Sequence, residues 1–224
     1  MTESKDVIPV YLMPGMAASP RIFEFIALPE NFQLTKLSWM PPKKGETLSQ
    51  YAQRMCERVT HPNPVLLGVS FGGILVQEMA KCISVRKVII VSSVKTNKEL
   101  SLSMRIAKKT NAHKLMPTQW IESLESLAMF VFGPTVKPRV EAYQKYLSER
   151  DPEYLNWCMD NIVHWPQTSF STNLIQIHGS KDGIFPLKNI NQHQNFHCLE
   201  GASHAMILTH HKWFNANLPH LITK

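Results

Sequence analysis

The chain has 224 residues, 44% of them hydrophobic and 18% charged, with a formal charge of +7. That composition supplies one sizeable core, with or without an inserted lid. It excludes an integral membrane protein, because no apolar run reaches bilayer length, and the polar start Met1-Thr2-Glu3-Ser4-Lys5-Asp6 has no signal-peptide core, so a cytoplasmic location is expected.

The four cysteines, Cys56, Cys82, Cys158 and Cys198, are scattered through apolar surroundings. They predict reduced core residues, not a disulfide framework or a zinc site. No His/Cys/Asp set shows ligand spacing, so neither a metal nor another cofactor is expected. Much of the charge is local: Lys95, Lys98, Arg105, Lys108, Lys109 and Lys114 face the single anion Glu99. Such a segment is a solvated basic face or a docking surface for something acidic. No nucleic-acid motif and no aromatic interleaving accompany it.

In chain order, Val7 to Leu12 predicts the first strand, and Pro14-Gly15-Met16 the loop after it. Ser19-Pro20 has the form of an N-cap with proline in the first turn, opening a helix with Ile22, Phe23, Phe25 and Ile26 on its buried side. Phe32 to Leu37 predicts a second strand, followed by the rigid stretch Trp39-Met40-Pro41-Pro42. Thr47 and Gln50 have capping-box spacing and open a helix through Tyr51, Met55 and Val59. The apolar run Val65-Leu66-Leu67 predicts a buried third strand that meets Gly68-Val69-Ser70-Phe71-Gly72-Gly73, with a helix running on to about Ile83. Val88 to Val91 is a fourth strand.

From Thr96 to about Ser171 the apolar spacing is helical and no strand is expected. Trp120, Ile121, Leu124, Leu127, Ala128 and Val131 share one face, and Val136, Val140, Tyr143 and Leu147 another. Asp151-Pro152 forms a cap and first-turn proline before a further helix. If this insert sits over Ser70, Trp120, Trp157 and Trp165 are expected to line a pocket. Asn173 to Ile177 and Phe196 to Leu199 resume the strands, and Ile207 to Leu218 closes the chain as a helix. The alternation predicts an α/β fold with a mostly parallel sheet of about six strands, residues 1–95 and 172–224 forming the core and 96–171 a helical lid.

The turn at Ser70 carries the chemistry. A strand that bends into a helix through glycines leaves the middle residue exposed at the sheet end, and the Phe71 amide, unpaired at the helix start, lies beside it. Ligands in such sheets bind beyond the C-terminal strand ends. The loops expected there hold Gly15 and Met16, then Ser70, then Asp182, then His204.

These residues resemble the α/β-hydrolase superfamily. Pro14-Gly15-Met16, Gly68-Val69-Ser70-Phe71-Gly72-Gly73, His178-Gly179-Ser180-Lys181-Asp182 and Gly201-Ala202-Ser203-His204 carry the resemblance, and the order Ser, Asp, His agrees with it. Many members have His-Gly where this chain has Pro14-Gly15, so any role of that histidine side chain is lost. The resemblance implies Ser70 as nucleophile, His204 as base, Asp182 as orienting acid, and the amides of Met16 and Phe71 as oxyanion donors. Because the base must be neutral, activity is expected to rise through roughly pH 6–7.

Glu99, after the fourth strand, is the rival acid, and His178 has the position of a packed structural histidine. His210 and His211 fall within the last helix. The implied activity is cleavage of a carboxylic ester or thioester, with acyl transfer to another acceptor or carbon–carbon bond cleavage as alternatives on the same residues, and a non-catalytic binding module as the alternative class. The Gly-Ala-Ser-His-Ala loop and the helical insert are also similar to those of pimeloyl-carrier-protein methyl esterases, which bind an acidic carrier. By that likeness Lys98, Arg105, Lys108 and Lys109 would dock an acyl carrier.

Overall fold

The structure, a computed structural model, describes residues 7–110 and 144–224. Six strands, β1 (Ile8–Met13), β2 (Phe32–Lys36), β3 (Val65–Val69), β4 (Lys87–Val91), β5 (Leu174–Gly179) and β6 (Phe196–Leu199), form one sheet in the order β2-β1-β3-β4-β5-β6. Every pairing is parallel. All five residues of β3 are buried, as a central parallel strand covered on both faces requires. The chain leaves β1 for β2 on one side and returns to β3 on the other. That reversal opens a crevice at the C-terminal ends of β1 and β3. Met13 pairs with Gly68 and Val69 with Val91, which brings the following loops to one rim.

Two glycines allow the central elements to meet backbone to backbone. A Cβ on Gly68 would lie 2.2 Å from the Gly72 carbonyl oxygen, and one on Gly72 would lie 2.3 Å from the Pro14 oxygen. Any side chain there would push apart β3, the loop after β1 and helix α2 (Phe71–Met79). Helix α1 (Leu48–Cys56) has the expected capping box, in which the Gln50 amide donates to Thr47 Oγ1 and the Thr47 amide to Gln50 Oε1.

Between β4 and β5 the described residues contribute no strand. They form a 3-10 turn (Asn97–Glu99), α3 (Leu102–Thr110) and α4 (Pro152–His164), the last capped by Asp151 with Pro152 in its first turn. The two stems of this segment meet over α2: Asn97 donates to the Gln167 carbonyl, and Gln167 Nε2 donates to Lys95 O and Gln77 Oε1. Trp120 and the apolar faces from Ile121 to Tyr143 lie outside the described residues.

Several expectations are corrected. Ser19-Pro20 opens only a four-residue 3-10 turn, Pro20–Phe23, and Phe25 beyond it is 47% exposed instead of buried. Helix α2 stops at Met79, four residues before Ile83. The closing helix is two pieces, α5 (Met206–Thr209) and α6 (His211–Thr223), because His210 at φ −119° leaves the helical region. Cys82 and Cys198 are exposed, not core. Cys82 follows the end of α2, and Cys198 stands on β6, the edge strand of the sheet among the described residues.

Candidate active site

Ser70 ends β3 with φ 54° and ψ −121°, a conformation that costs a non-glycine residue energy. Its surroundings hold it there. The Ser70 amide donates to Val91 O at 2.9 Å, and its carbonyl accepts from the Gly73 amide at 2.9 Å and from Ser93 Oγ at 2.7 Å. Although Ser70 is the N-cap of α2, its hydroxyl makes no capping bond. Phe71, the first residue of α2, has an amide with no intrahelical partner to donate to.

The loop after β1 lies against this turn. A Cβ on Gly15 would stand 3.2 Å from Ser70 Cβ and 3.9 Å from its Oγ. The Gly15 carbonyl points the other way, accepting from Trp39 Nε1 at 2.9 Å and from the Ala18 amide at 3.1 Å. The Trp39 ring stacks on Phe71 at 5.3 Å with an 8° interplanar angle.

Across the rim, His204 Nδ1 is 2.8 Å from Asp182 Oδ2, and both residues are buried. Asp182 Oδ1 accepts from the Ile184 and Phe185 amides, each at 2.9 Å. Burial by itself would push the Asp182 carboxyl up. The charge and hydrogen bond of His204, together with His178 and the Phe185 amide, outweigh it and hold the group below the usual carboxylate range. An ionised Asp182 accepts a hydrogen bond from Nδ1–H, which leaves Nε2 as the imidazole's lone-pair nitrogen.

His178 is wholly buried on β5. Its Nε2–H donates to the Phe185 carbonyl at 2.8 Å and lies 3.6 Å from Asp182 Oδ2, while Nδ1 has no partner among the described residues. Burial lowers its pKa despite the opposing pull of Asp182, since protonation would place an N–H on Nδ1 facing no acceptor. The unfolded histidine takes up a proton near pH 6.5, which the folded one refuses. Stability is therefore expected to be full above that value and to fall as pH drops below it, by at most about 1.4 kcal/mol per pH unit. His178→Gln retains a donor to Phe185 O without a titrating ring. Denaturant unfolding at pH 7 and pH 5 should show a smaller loss in that variant.

Gly15, Met16, Ser70 and His204 line one cavity of about 40 Å³, closed by Ala18, Ile22, Val69, Leu147, Ala205, Ile207 and Leu208. Among the described residues, every side chain on its wall apart from Ser70 and His204 is apolar. No hydrogen bond joins Ser70 to His204 among the described residues. Such contacts are often long in unliganded enzymes and tighten when substrate binds.

Other candidates lie elsewhere. Trp157 donates to Glu46 O and stands edge-on to Phe71. Trp165 is core and donates to Glu78. Neither lines the Ser70 cavity. Glu99 is buried against Lys95 and also accepts from the Lys95 and Asn191 amides, so its carboxylate is occupied. Lys95 accordingly leaves the basic surface. Lys98, Arg105, Lys108 and Lys109 remain exposed and line a separate cavity of about 480 Å³ with Asn97, Leu100 and Val163. His210 and His211 are half-buried. No group of three metal-ligating side chains, and no helix long and apolar enough to span a membrane, occurs among the described residues.

No protein-family model matches the sequence, and no curated protein matches it either. Solved structures do match. A hydrolase from Pseudomonas aeruginosa superposes with a TM-score of 0.73 at 14% identity, covering 97% of this chain and 91% of that one. A thermophilic esterase from Thermogutta terrifontis gives 0.66 at 17%, with 96% and 89% covered. The chain has the α/β-hydrolase fold. A bromoperoxidase from Bacillus anthracis is similar over 97% of this chain and 92% of its own, with a TM-score of 0.63 at 18% identity. The α/β-hydrolase fold thus carries more than one chemistry, and the site must decide among them.

Trp39 lies in the stretch expected only to be rigid, and its contacts with Gly15 and Phe71 are additional to that expectation. A buried indole needs an acceptor for its N–H, and that requirement was the available signal. Ser93, which braces the Ser70 carbonyl, had no signal beyond its place at a strand end.

Proposed function

We propose that the protein is a serine hydrolase that cleaves a carboxylic ester or thioester through an acyl-enzyme on Ser70. The observation that carries this reading is the His204–Asp182 pair, buried at 2.8 Å, behind a cavity that also holds a conformationally strained Ser70. Nε2 of His204 takes the hydroxyl proton as Ser70 Oγ attacks the carbonyl carbon. The oxyanion forms between the Met16 and Phe71 amides. Collapse expels the alcohol or thiol, which receives the proton from His204. Water then repeats the sequence and releases the acid. The esterase and the hydrolase among the similar structures agree with this class. The apolar wall suits an uncharged acyl group. Leu147, from the segment between β4 and β5, contributes to the cavity wall, as a cap element would, and the four unbridged cysteines fit a cytoplasmic setting.

The test is labelling with a fluorophosphonate probe followed by turnover of p-nitrophenyl acetate. A wild-type protein that neither takes up the probe nor releases nitrophenol contradicts the reading. Product analysis with added alcohol or amine separates hydrolysis from acyl transfer, and the same analysis on a β-diketone detects carbon–carbon cleavage. The binding-module alternative is weaker, because a site without chemistry has no need of strain at Ser70.

A second reading concerns the form in which substrate arrives. Lys98, Arg105, Lys108 and Lys109 share one cavity wall with no acidic side chain among its described residues, which suits a negatively charged acyl carrier. Charge reversal at Lys108 and Lys109 is expected to raise KM for a carrier-bound ester by about 10-fold. Equal KM values for wild type and variant on that substrate would remove the carrier.

A further inference from the structure

Trp39 touches both loops assigned the oxyanion donors, yet it does not line the cavity. Its indole Nε1–H donates to Gly15 O at 2.9 Å in a buried setting. In a trans peptide the carbonyl oxygen and the following amide hydrogen point in opposite directions, and that hydrogen lies on the same side as the preceding Cα. Gly15 Cα faces Ser70, since a Cβ built on it would stand 3.2 Å from Ser70 Cβ. Drawing the Gly15 carbonyl toward Trp39 therefore turns the Met16 N–H toward the serine. The other side of the indole fixes Phe71 through the near-parallel stack, 5.3 Å between centroids.

Trp39 is itself held. Tyr51 OH donates to Met40 O and accepts from the Met40 amide, each at 2.8 Å. Arg54 donates to Pro41 O and forms a two-bond pair with Glu46. Tyr51 and Tyr154 tilt against the indole at 6.1 and 5.4 Å. Helix α1 thus clamps the segment after β2, and that segment presents one rigid plane to two loops far apart in sequence.

We propose that Trp39 is the positioning residue of the oxyanion hole, aligning the Met16 amide through the Gly15 carbonyl and the Phe71 amide through ring stacking; this rests on the serine-hydrolase reading above. Loss of a whole oxyanion donor costs about 10²- to 10³-fold in kcat. Trp39→Phe keeps a stacking ring and removes only the indole N–H. The Ala18 amide still holds the Gly15 carbonyl, so a fall in kcat of about 10- to 100-fold is expected, with KM within about twofold. Affinity for a trifluoromethyl ketone, which forms an oxyanion on Ser70, should fall in step with kcat/KM. Trp39→Leu, which also loses the stack, should fall further.

A measurement on the wild type guards against variants that do not fold. Phosphonylation of Ser70 puts a strongly polarised phosphoryl oxygen on the Met16 N–H, polarises the Gly15–Met16 peptide and strengthens the bond from Trp39. The Trp39 indole N–H resonance should move downfield on adduct formation. An unmoved resonance overturns the proposal, as does a folded Trp39→Phe protein with wild-type kcat or with its loss confined to KM. If wild type takes up no probe and turns over no ester, the hydrolase reading fails and the positioning role falls with it. If wild type is active and only the Trp39 results are negative, the hydrolase reading stands.

Discussion

Ser70→Ala is expected to lower kcat/KM for an activated ester by about 10⁴-fold or more and to abolish the phosphonate adduct, with the fold intact. The size follows from what remains. Without Oγ there is no covalent intermediate, and the leftover rate comes only from water attacking a substrate held against the oxyanion donors. The fold should survive because Ser70 is fixed through its backbone: its amide meets Val91 O, and its carbonyl meets the Gly73 amide and Ser93 Oγ. Alanine retains those three bonds. It also retains the positive φ and its strain, so thermal stability should change little. Stopped-flow assay of nitrophenyl ester cleavage and intact-mass analysis of the labelled protein read both outcomes. A variant that still takes up the probe would move the nucleophile to another side chain.

Asp182→Asn is expected to lower kcat by about 10⁴-fold at neutral pH while leaving KM and stability close to wild type. Oδ1 of Asp182 accepts two backbone amides, from Ile184 and Phe185. An asparagine keeps its carbonyl oxygen on those donors, which turns its NH₂ toward His204 Nδ1 in place of Oδ2. Two donors cannot face each other, so the imidazole gives up the proton on Nδ1 and carries it on Nε2. That nitrogen then has no lone pair with which to accept from Ser70. Steady-state kinetics with a thermal melt on the same sample checks both halves. A kcat within tenfold of wild type would return the acid role to another carboxylate. Glu99 is poorly placed to take it, because its carboxylate is buried against Lys95.

How much was legible in the sequence depended on the range of the interaction involved. The capping box at Thr47 and Gln50 and the Asp151-Pro152 cap were readable because both partners sit within one turn. The Ser70 turn was readable because Gly68 and Gly72 are sterically required on either side of it. The break at His210, the early end of α2 and the exposure of Phe25 were not readable. At the end of α2 and at Phe25 the apolar pattern continued past the point where packing supplied a surface to cover it; at His210 the residues beyond the break, Phe214, Leu218 and Ile222, stay buried, so the apolar pattern runs through the break without marking it.

The sequence by itself determined the order of strands and helices, the Gly-x-Ser-x-Gly turn, and the set of polar residues at strand ends, since these depend on periodicity and on steric rules confined to a few residues. Only the tertiary structure decided which acid meets His204, that Lys95 is buried with Glu99 instead of joining the basic surface, and that Trp39 bridges the loops after β1 and β3. The first and third outcomes depend on which strands lie side by side: β5 beside β6 brings the Asp182 and His204 loops together, and β1 beside β3 does the same for Gly15 and Phe71. The second depends on burial, because the four-residue spacing of Lys95 and Glu99 is the same whether the pair faces solvent or core.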